Sequence, residues 1–232
     1  ERKPLPEDIR KLFPSEFELT DEMGWVPKGW EDMPVYEIAD FINGAAFNSK
    51  DFCNPNEGLP VVKIAELKAG ITGQTKYSHI NKGNKYFIDN NELLFSWSGN
   101  PETSIDTFIW TKGKAVLNQH IFKVSSRSDE EKAYIYYLLK MLKPTFTDIA
   151  KNKQTTGLGH VTIKDMKGLL IPFPDRKIKE LFSVMAGPLF NQSLSQKNQA
   201  QTLESLRDTL LPKLLSGELR IPDAEKLVEE AV

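Results

Sequence analysis

Over residues 178–215 the turn-forming residues that punctuate the rest of the chain thin out, and apolar side chains return at an interval of seven. Phe182, Leu189, Gln196, Leu203 and Leu210 share one place in this repeat; Met185, Gln192, Gln199, Leu206 and Lys213 share a second place three residues on. Such a repeat is the seam of a coiled coil. At ~1.5 Å per residue the helix is roughly 55 Å long, which exceeds the width of a small domain. The chain is therefore expected to fold as a globular part followed by a long helix that meets a partner. A helix folded back over its own domain is the weaker reading, because glutamine is poor cover for an apolar core. Amides at seam positions cost stability but fix the register of paired helices. Pro188 is expected either to kink the helix or to mark its true start, and Pro212 to bend its last turn. Phe182, Met185, Leu189, Gln196, Leu203, Leu206 and Leu210 are the candidate partner-facing residues.

The part before this helix reads as a mixed α/β (α+β) domain over residues 25–173. Strands are expected at 59–64, 85–88, 92–97, 107–110 and 115–124, each rich in apolar or β-branched residues and bounded by Gly, Asn, Asp or Pro. The acids at 129–131 suit a helix start, with an apolar body over 133–142 and a second helix over 144–151. After the Gly-rich segment 155–160 come residues 161–167, and then a short strand over 169–173 completes the domain. The pair Asn43-Gly44 reads as a turn. Residues 1–24 read as an acidic linker, with a short helix within 5–13 and order beginning at Gly24. Residues 174–216 form the spacer helix and 217–232 a tail.

Charge and cysteine usage narrow the function. The single cysteine, Cys53, allows neither an internal disulfide nor a Cys-rich zinc site, which suits a reducing cytoplasm. No apolar run approaches the ~18 residues of a membrane span, and the polar start Glu1-Arg2-Lys3-Pro4 is no signal peptide. Without an initiating Met, the chain is expected to be a fragment or a processed product. The net charge of −2 argues against a protein coated in nucleic acid. Residues 140–167 nevertheless hold Lys140, Lys143, Lys151, Lys153, Lys164 and Lys167 against Asp148 and Asp165. A local basic stretch of this kind supplies phosphate contacts or simply a solvated face.

Catalytic patterns are weak. Asp51 with Glu66-Leu67-Lys68 has the order of a metal-dependent nuclease motif, but Glu130-Glu131-Lys132 matches the same Glu-x-Lys signature by chance. Residues 70–76 lack the spacing of a phosphate-binding P-loop. His79, His120 and His160 are scattered, and no catalytic or metal-ligating residue is assigned. Three polar, turn-rich stretches remain: 70–79, 96–103 and 151–157. They carry the side chains that contact phosphates and base edges.

Several segments together resemble the specificity subunits of type I restriction-modification enzymes. Gly24-Trp25-Val26-Pro27-Lys28-Gly29-Trp30-Glu31 resembles the opening of a target-recognition domain. Residues 62–70, Leu94-Phe95-Ser96-Trp97-Ser98-Gly99, Leu117-Asn118-Gln119-His120-Ile121-Phe122 and Thr156-Gly157-Leu158-Gly159-His160-Val161 are similar to inner motifs. Residues 203–221 are similar to the family's C-terminal conserved helix. The resemblance implies sequence-specific binding of double-stranded DNA without catalysis. It further implies docking to methyltransferase subunits, which carry S-adenosylmethionine, and indirectly to a restriction subunit; no cofactor is expected in this chain. Full subunits alternate two recognition domains with two helices, whereas one of each is present here. The chain is thus either half of a longer subunit or a half-subunit that forms a homodimer. Gln74, Thr75, Lys76, Tyr77, Ser98, Asn100, Lys151, Lys153, Thr155, Thr156 and Gly157 are the candidate DNA-binding residues. The rival readings are a coiled-coil DNA-binding or scaffold protein of another system and, further off, a stand-alone nuclease.

Overall fold

The computed structural model describes residues 4–154 and 157–229. In chain order the elements begin with α1 (Glu7–Arg10), β1 (Phe17–Thr20), β2 (Gly24–Pro27), β3 (Glu31–Pro34) and β4 (Asp40–Asn43). There follow β5 (Leu59–Val62), α2 (Ile64–Ala69), β6 (Tyr77–Ser78), β7 (Phe87–Ile88), β8 (Leu93–Ser96), β9 (Ser98–Gly99), β10 (Asp106–Ile109), β11 (Ala115–Leu117) and β12 (Ile121–Ser125). The chain ends with α3 (Asp129–Met141), α4 (Lys143–Asn152), β13 (Gly159–His160), α5 (Ile163–Gly168), β14 (Leu170–Phe173), α6 (Arg176–Leu215) and α7 (Ile221–Glu229). The fold is mixed α/β with a long C-terminal helix.

Two four-stranded sheets organise the globular part, in the orders β10-β8-β12-β4 and β6-β5-β11-β7. The first is antiparallel throughout, whereas β11 runs parallel to β5 in the second. Strand β8 shows why its sequence is an unbroken apolar run. Leu93 and Phe95 point into a core shared with Ile135, Leu139, Phe146 and Met166, while Leu94 packs with Val62, Trp110, Leu117 and Ile121 on the other side. A strand covered on both faces has no polar side to alternate with. Helix α3 faces the first core with Ile135, Leu138, Leu139 and Leu142, spaced by three and four, and α4 continues with Phe146 and Ala150. Pro144 lies in the first turn of α4, where its missing N–H costs nothing. Helix α5 starts from a capping box: Asp165 N–H donates to Thr162 Oγ1 at 3.2 Å and Thr162 N–H returns to Asp165 Oδ2 at 2.7 Å.

Several expectations change. Order begins before Gly24, because β1 pairs antiparallel with β2, setting Leu19 opposite Trp25. The strand expected over 59–64 stops at Val62, since the Glu66 carboxylate accepts the Lys63 N–H at 3.0 Å and opens α2. Only Phe87 and Ile88 of the strand expected over 85–88 are extended, after a 3₁₀ turn. The run over 115–124 is two strands in different sheets, separated at residues 118–120. The expected tail contains α7.

The chain divides into two compact units, Glu1–Gly187 and Pro188–Val232. Helix α6 is 40 residues long with Pro188 and Pro212 inside it, so Pro188 does not mark its start. Its beginning is fixed by Asp175, whose carboxylate accepts the Ile178 N–H at 3.0 Å. No helix among the described residues is long and apolar enough to cross a membrane.

Candidate nucleic-acid interface

The three polar stretches are linked to one another through bonds made within them and by their flanking residues. Helix α2 leads into residues 70–76, and its Lys68 ammonium donates to Ser104 Oγ at 3.1 Å, tying it to the loop that follows β9. That loop is tied in turn to the end of α4: Lys151 Nζ lies 2.8 Å from Glu102 Oε1, and Thr147 Oγ1 donates to the Pro101 carbonyl at 3.3 Å. Strands β9 and β13 pair Gly99 with Gly159 and Ser98 with His160. These bonds tie residues far apart in sequence into one polar region, the polar rim.

Within that rim the candidate residues differ in what they have left to offer. The Lys151 ammonium is engaged by Glu102, a hydrogen bond that raises Lys151 above the ordinary lysine value and holds Glu102 below the ordinary glutamate value. Lys153 pairs with Asp165. Burial alone would raise the Asp165 carboxyl, but the Lys153 and Thr162 hydrogen bonds outweigh it and keep it low. Asn100 spends its side-chain oxygen on the N–H groups of Glu102 and Thr103, at 3.0 and 3.1 Å, and so shapes its own loop. Thr75 is buried, its hydroxyl donating to Glu66 Oε1 at 3.1 Å. Tyr77 and Ser98 are half-buried in short strands. Gly157 is exposed with φ +84°, and Thr155 and Thr156 lie outside the described residues. Gln74 and Lys76 are exposed. Lys76 lies in a segment whose weight the sequence reading missed: residues 67–88 carry Lys68, Lys76, Lys82 and Lys85 and no acid at all. A charge count over 67–88 would have found it.

The partner-facing residues of α6 also separate. Met185, Leu189 and Leu203 are 52%, 65% and 51% exposed, and Gln196 is exposed. Leu206 is half-buried and Leu210 buried. Phe182 turns inward, with its ring centroid 5.5 Å from that of Tyr134 and 6.0 Å from that of Tyr137. Neither Phe182 nor Leu210 belongs to the open stripe.

Each member of the nuclease-like trio is engaged by another group, Lys68 by Ser104. Asp51 binds Lys82 at 2.7 Å, which lowers its carboxyl, and Glu66 is held by Thr75 and the Lys63 backbone. Among the described residues no group of three His, Cys, Asp or Glu side chains is placed to hold a metal ion. His120 packs edge-on against Trp97 with centroids 5.3 Å apart, and burial pulls its imidazole below the ordinary histidine value. The Trp97 indole in turn donates to Asn43 Oδ1 at 3.0 Å, a structural use of these groups.

The molecule is a mixed α/β domain carrying this polar rim, followed by a 40-residue helix. Comparison with known proteins gives its family. A family model described as "Type I restriction modification DNA specificity domain" matches residues 27–211, and the chain belongs to that family. The MjaIX specificity subunit of Methanocaldococcus jannaschii is 28% identical over 222 residues, covering 93% of this chain and 50% of that protein. The EcoBI specificity subunit of Escherichia coli is 22% identical over 205 residues, covering 87% of this chain and 42% of that protein. The HsdS subunit of Thermoanaerobacter tengcongensis has the same fold, with a TM-score of 0.51 at 18% identity over 91% of this chain and 49% of that one. This chain thus spans about half the length of the relatives it matches.

Proposed function

We propose that this chain reads one half of a split DNA target for a type I restriction-modification enzyme, and that its helix orients it against methyltransferase subunits. The bonds that tie these loops together carry the reading: segments distant in sequence, among them the exposed Gln74 and Lys76, are held against one another in the fold. Phosphate contacts position such a surface and base-edge contacts give it specificity. The family supports a recognition role in place of catalysis, and the half-length match supports one recognition domain per chain. On this reading the DNA is cut and methylated by other subunits, and S-adenosylmethionine is held by the methyltransferase.

The test is to incubate the chain with duplex DNA alone and then together with a methyltransferase subunit from the same organism. We expect salt-sensitive duplex binding by the chain alone, no cleavage with Mg²⁺ and no methyl transfer from labelled S-adenosylmethionine. Methylation at a split site should appear when both proteins are present. Cleavage or methylation by the purified chain, lost in Glu66→Ala, would overturn the reading.

A further inference from the structure

Residues 70–76 are shaped by a set of hydrogen bonds anchored on a buried pair. Glu66 and Thr75 are both more than nine-tenths buried, and the Thr75 hydroxyl donates to Glu66 Oε1 at 3.1 Å while the second carboxylate oxygen accepts the Lys63 N–H at 3.0 Å. The same Thr75 oxygen accepts the Thr72 N–H at 2.9 Å, and Thr72 Oγ1 accepts the Gln74 N–H at 3.3 Å. Backbone bonds from Thr75 N–H to the Thr72 carbonyl and from Val61 N–H to the Lys76 carbonyl, at 3.0 and 2.7 Å, close the turn onto β5. These bonds serve the loop's shape. The exposed Gln74 amide and Lys76 ammonium, by contrast, have no protein partner among the described residues. They line a concave surface of about 640 Å³ together with Lys63, Glu66, Thr72 and Gly73.

Resting on the reading of the chain as a DNA-recognition domain, we infer that Gln74 is a specificity-determining residue that reads an adenine, and that Glu66, through Thr75, is the positioning residue that aims it. The chemistry is specific. A glutamine amide offers one donor and one acceptor in a plane, which matches the N7 acceptor and N6 donor of adenine in the major groove. That match requires a fixed backbone beneath the amide, because a swinging side chain loses the paired geometry. Lys76 beside it, with no ion-pair partner among the described residues, supplies the phosphate contact that sets the loop's depth. The lysines of the 151–157 stretch, already paired with Glu102 and Asp165, are less free to do this.

The experiment uses the full chain, a library of randomised duplexes, and sequencing of the bound fraction after repeated selection. The unmodified chain should enrich one short motif containing an adenine. Gln74→Ala should lose the adenine preference at one position by roughly ten-fold while the other positions keep theirs. Gln74→Glu should move that position towards cytosine, whose amino group a carboxylate accepts. Thr75→Val should reproduce the Gln74→Ala profile and Thr75→Ser should restore the original, with both variants checked for an unchanged melting transition. Lys76→Ala should weaken binding to all sequences alike and reduce the log–log salt slope by about 0.9. If Gln74 variants leave every position of the motif unchanged, or weaken all of them equally, the inference fails while the recognition reading stands. An unmodified chain that enriches no motif overturns both.

Discussion

Asp106 shows how a charged residue in this fold is used. It stands at the edge of the first sheet and takes hydrogen bonds from Lys140 at 2.8 Å and Lys143 at 2.7 Å, one from each of the helices α3 and α4. Burial alone would raise its carboxyl; the two lysines and the Thr107 N–H more than reverse this and hold it below the ordinary aspartate value. A carboxyl depressed by folding adds stability above its unfolded pKa, and that share is lost as pH falls through the folded value. Asp106→Asn should therefore cost about 1–3 kcal/mol at neutral pH. The gap between variant and wild type should close between about pH 5 and pH 2. Urea denaturation followed by circular dichroism at both ends of that window checks this, and an undiminished gap in acid would contradict it. The same residue explains what charge counting misses. Residues 140–167 read as a basic stretch, yet Lys140, Lys143, Lys151 and Lys153 are paired with Asp106, Glu102 and Asp165. Asp106 and Glu102 lie far outside that window in sequence, so the cancellation appears only in three dimensions. The residue types of the site were legible; which of them remain free was not.

At the scale of elements, local pattern served where a segment meets one environment and failed where it passes between two. Strand β8 and helices α3 and α4 carry uniform apolar patterns and lie within a residue or two of where those patterns put them. Residues 115–124 look like one strand because both halves are apolar, but Asn118 is drawn into the second sheet, its N–H donating to the Val62 carbonyl at 3.0 Å, and β12 starts afresh in the first. Gly44 has a related role. The sequence reads it as part of a turn, but a Cβ there would stand 2.1 Å from the Asn118 carbonyl oxygen, so glycine permits a close backbone crossing instead. Gly159 in β13 makes a second such crossing, since its Cβ would fall 2.4 Å from the Ala150 carbonyl oxygen and 3.0 Å from Pro101 Cγ. Backbone cannot yield as a side-chain tip does, so Gly159→Ala must push β13 off the end of α4 and separate the loops of the polar rim. We expect a loss of about 1–3 kcal/mol in stability together with weakened DNA binding. Gly168→Ala, with nothing within 4 Å of the added carbon, is the matched control and should leave both unchanged. A Gly159→Ala chain that melts and binds like wild type would show that the crossing has slack.

For the whole molecule, the seven-residue repeat settled the presence of the long helix but overstated its open face. Phe182 is claimed by Tyr134 and Tyr137, and Leu210 is 8% exposed. What stays open on α6 along that stripe is Met185, Leu189, Gln192, Gln196, Gln199 and Leu203. Leu189 and Leu203 are equidistant from Gln196 in sequence. A two-fold axis at Gln196, relating two copies with their helices antiparallel, therefore lays each Leu189 against the second copy's Leu203. It also gathers the glutamines at the centre, where amides pair with amides and penalise any slipped register. A parallel arrangement would instead set each leucine and each glutamine against its own equivalent, without the Leu189–Leu203 match about a single central axis. The chain alone should therefore form an antiparallel dimer at about 100 µM, measured by light scattering. Leu189→Glu combined with Leu203→Glu should give monomers whose thermal transition is unchanged, because both side chains are more than half exposed in the single chain. Gln196→Leu should keep the dimer but admit other registers, seen as broadened inter-probe distances between spin labels placed at Ser195 of each copy. An unmodified chain that stays monomeric at that concentration would refute self-pairing and reserve the stripe for the helix of a longer subunit or a methyltransferase.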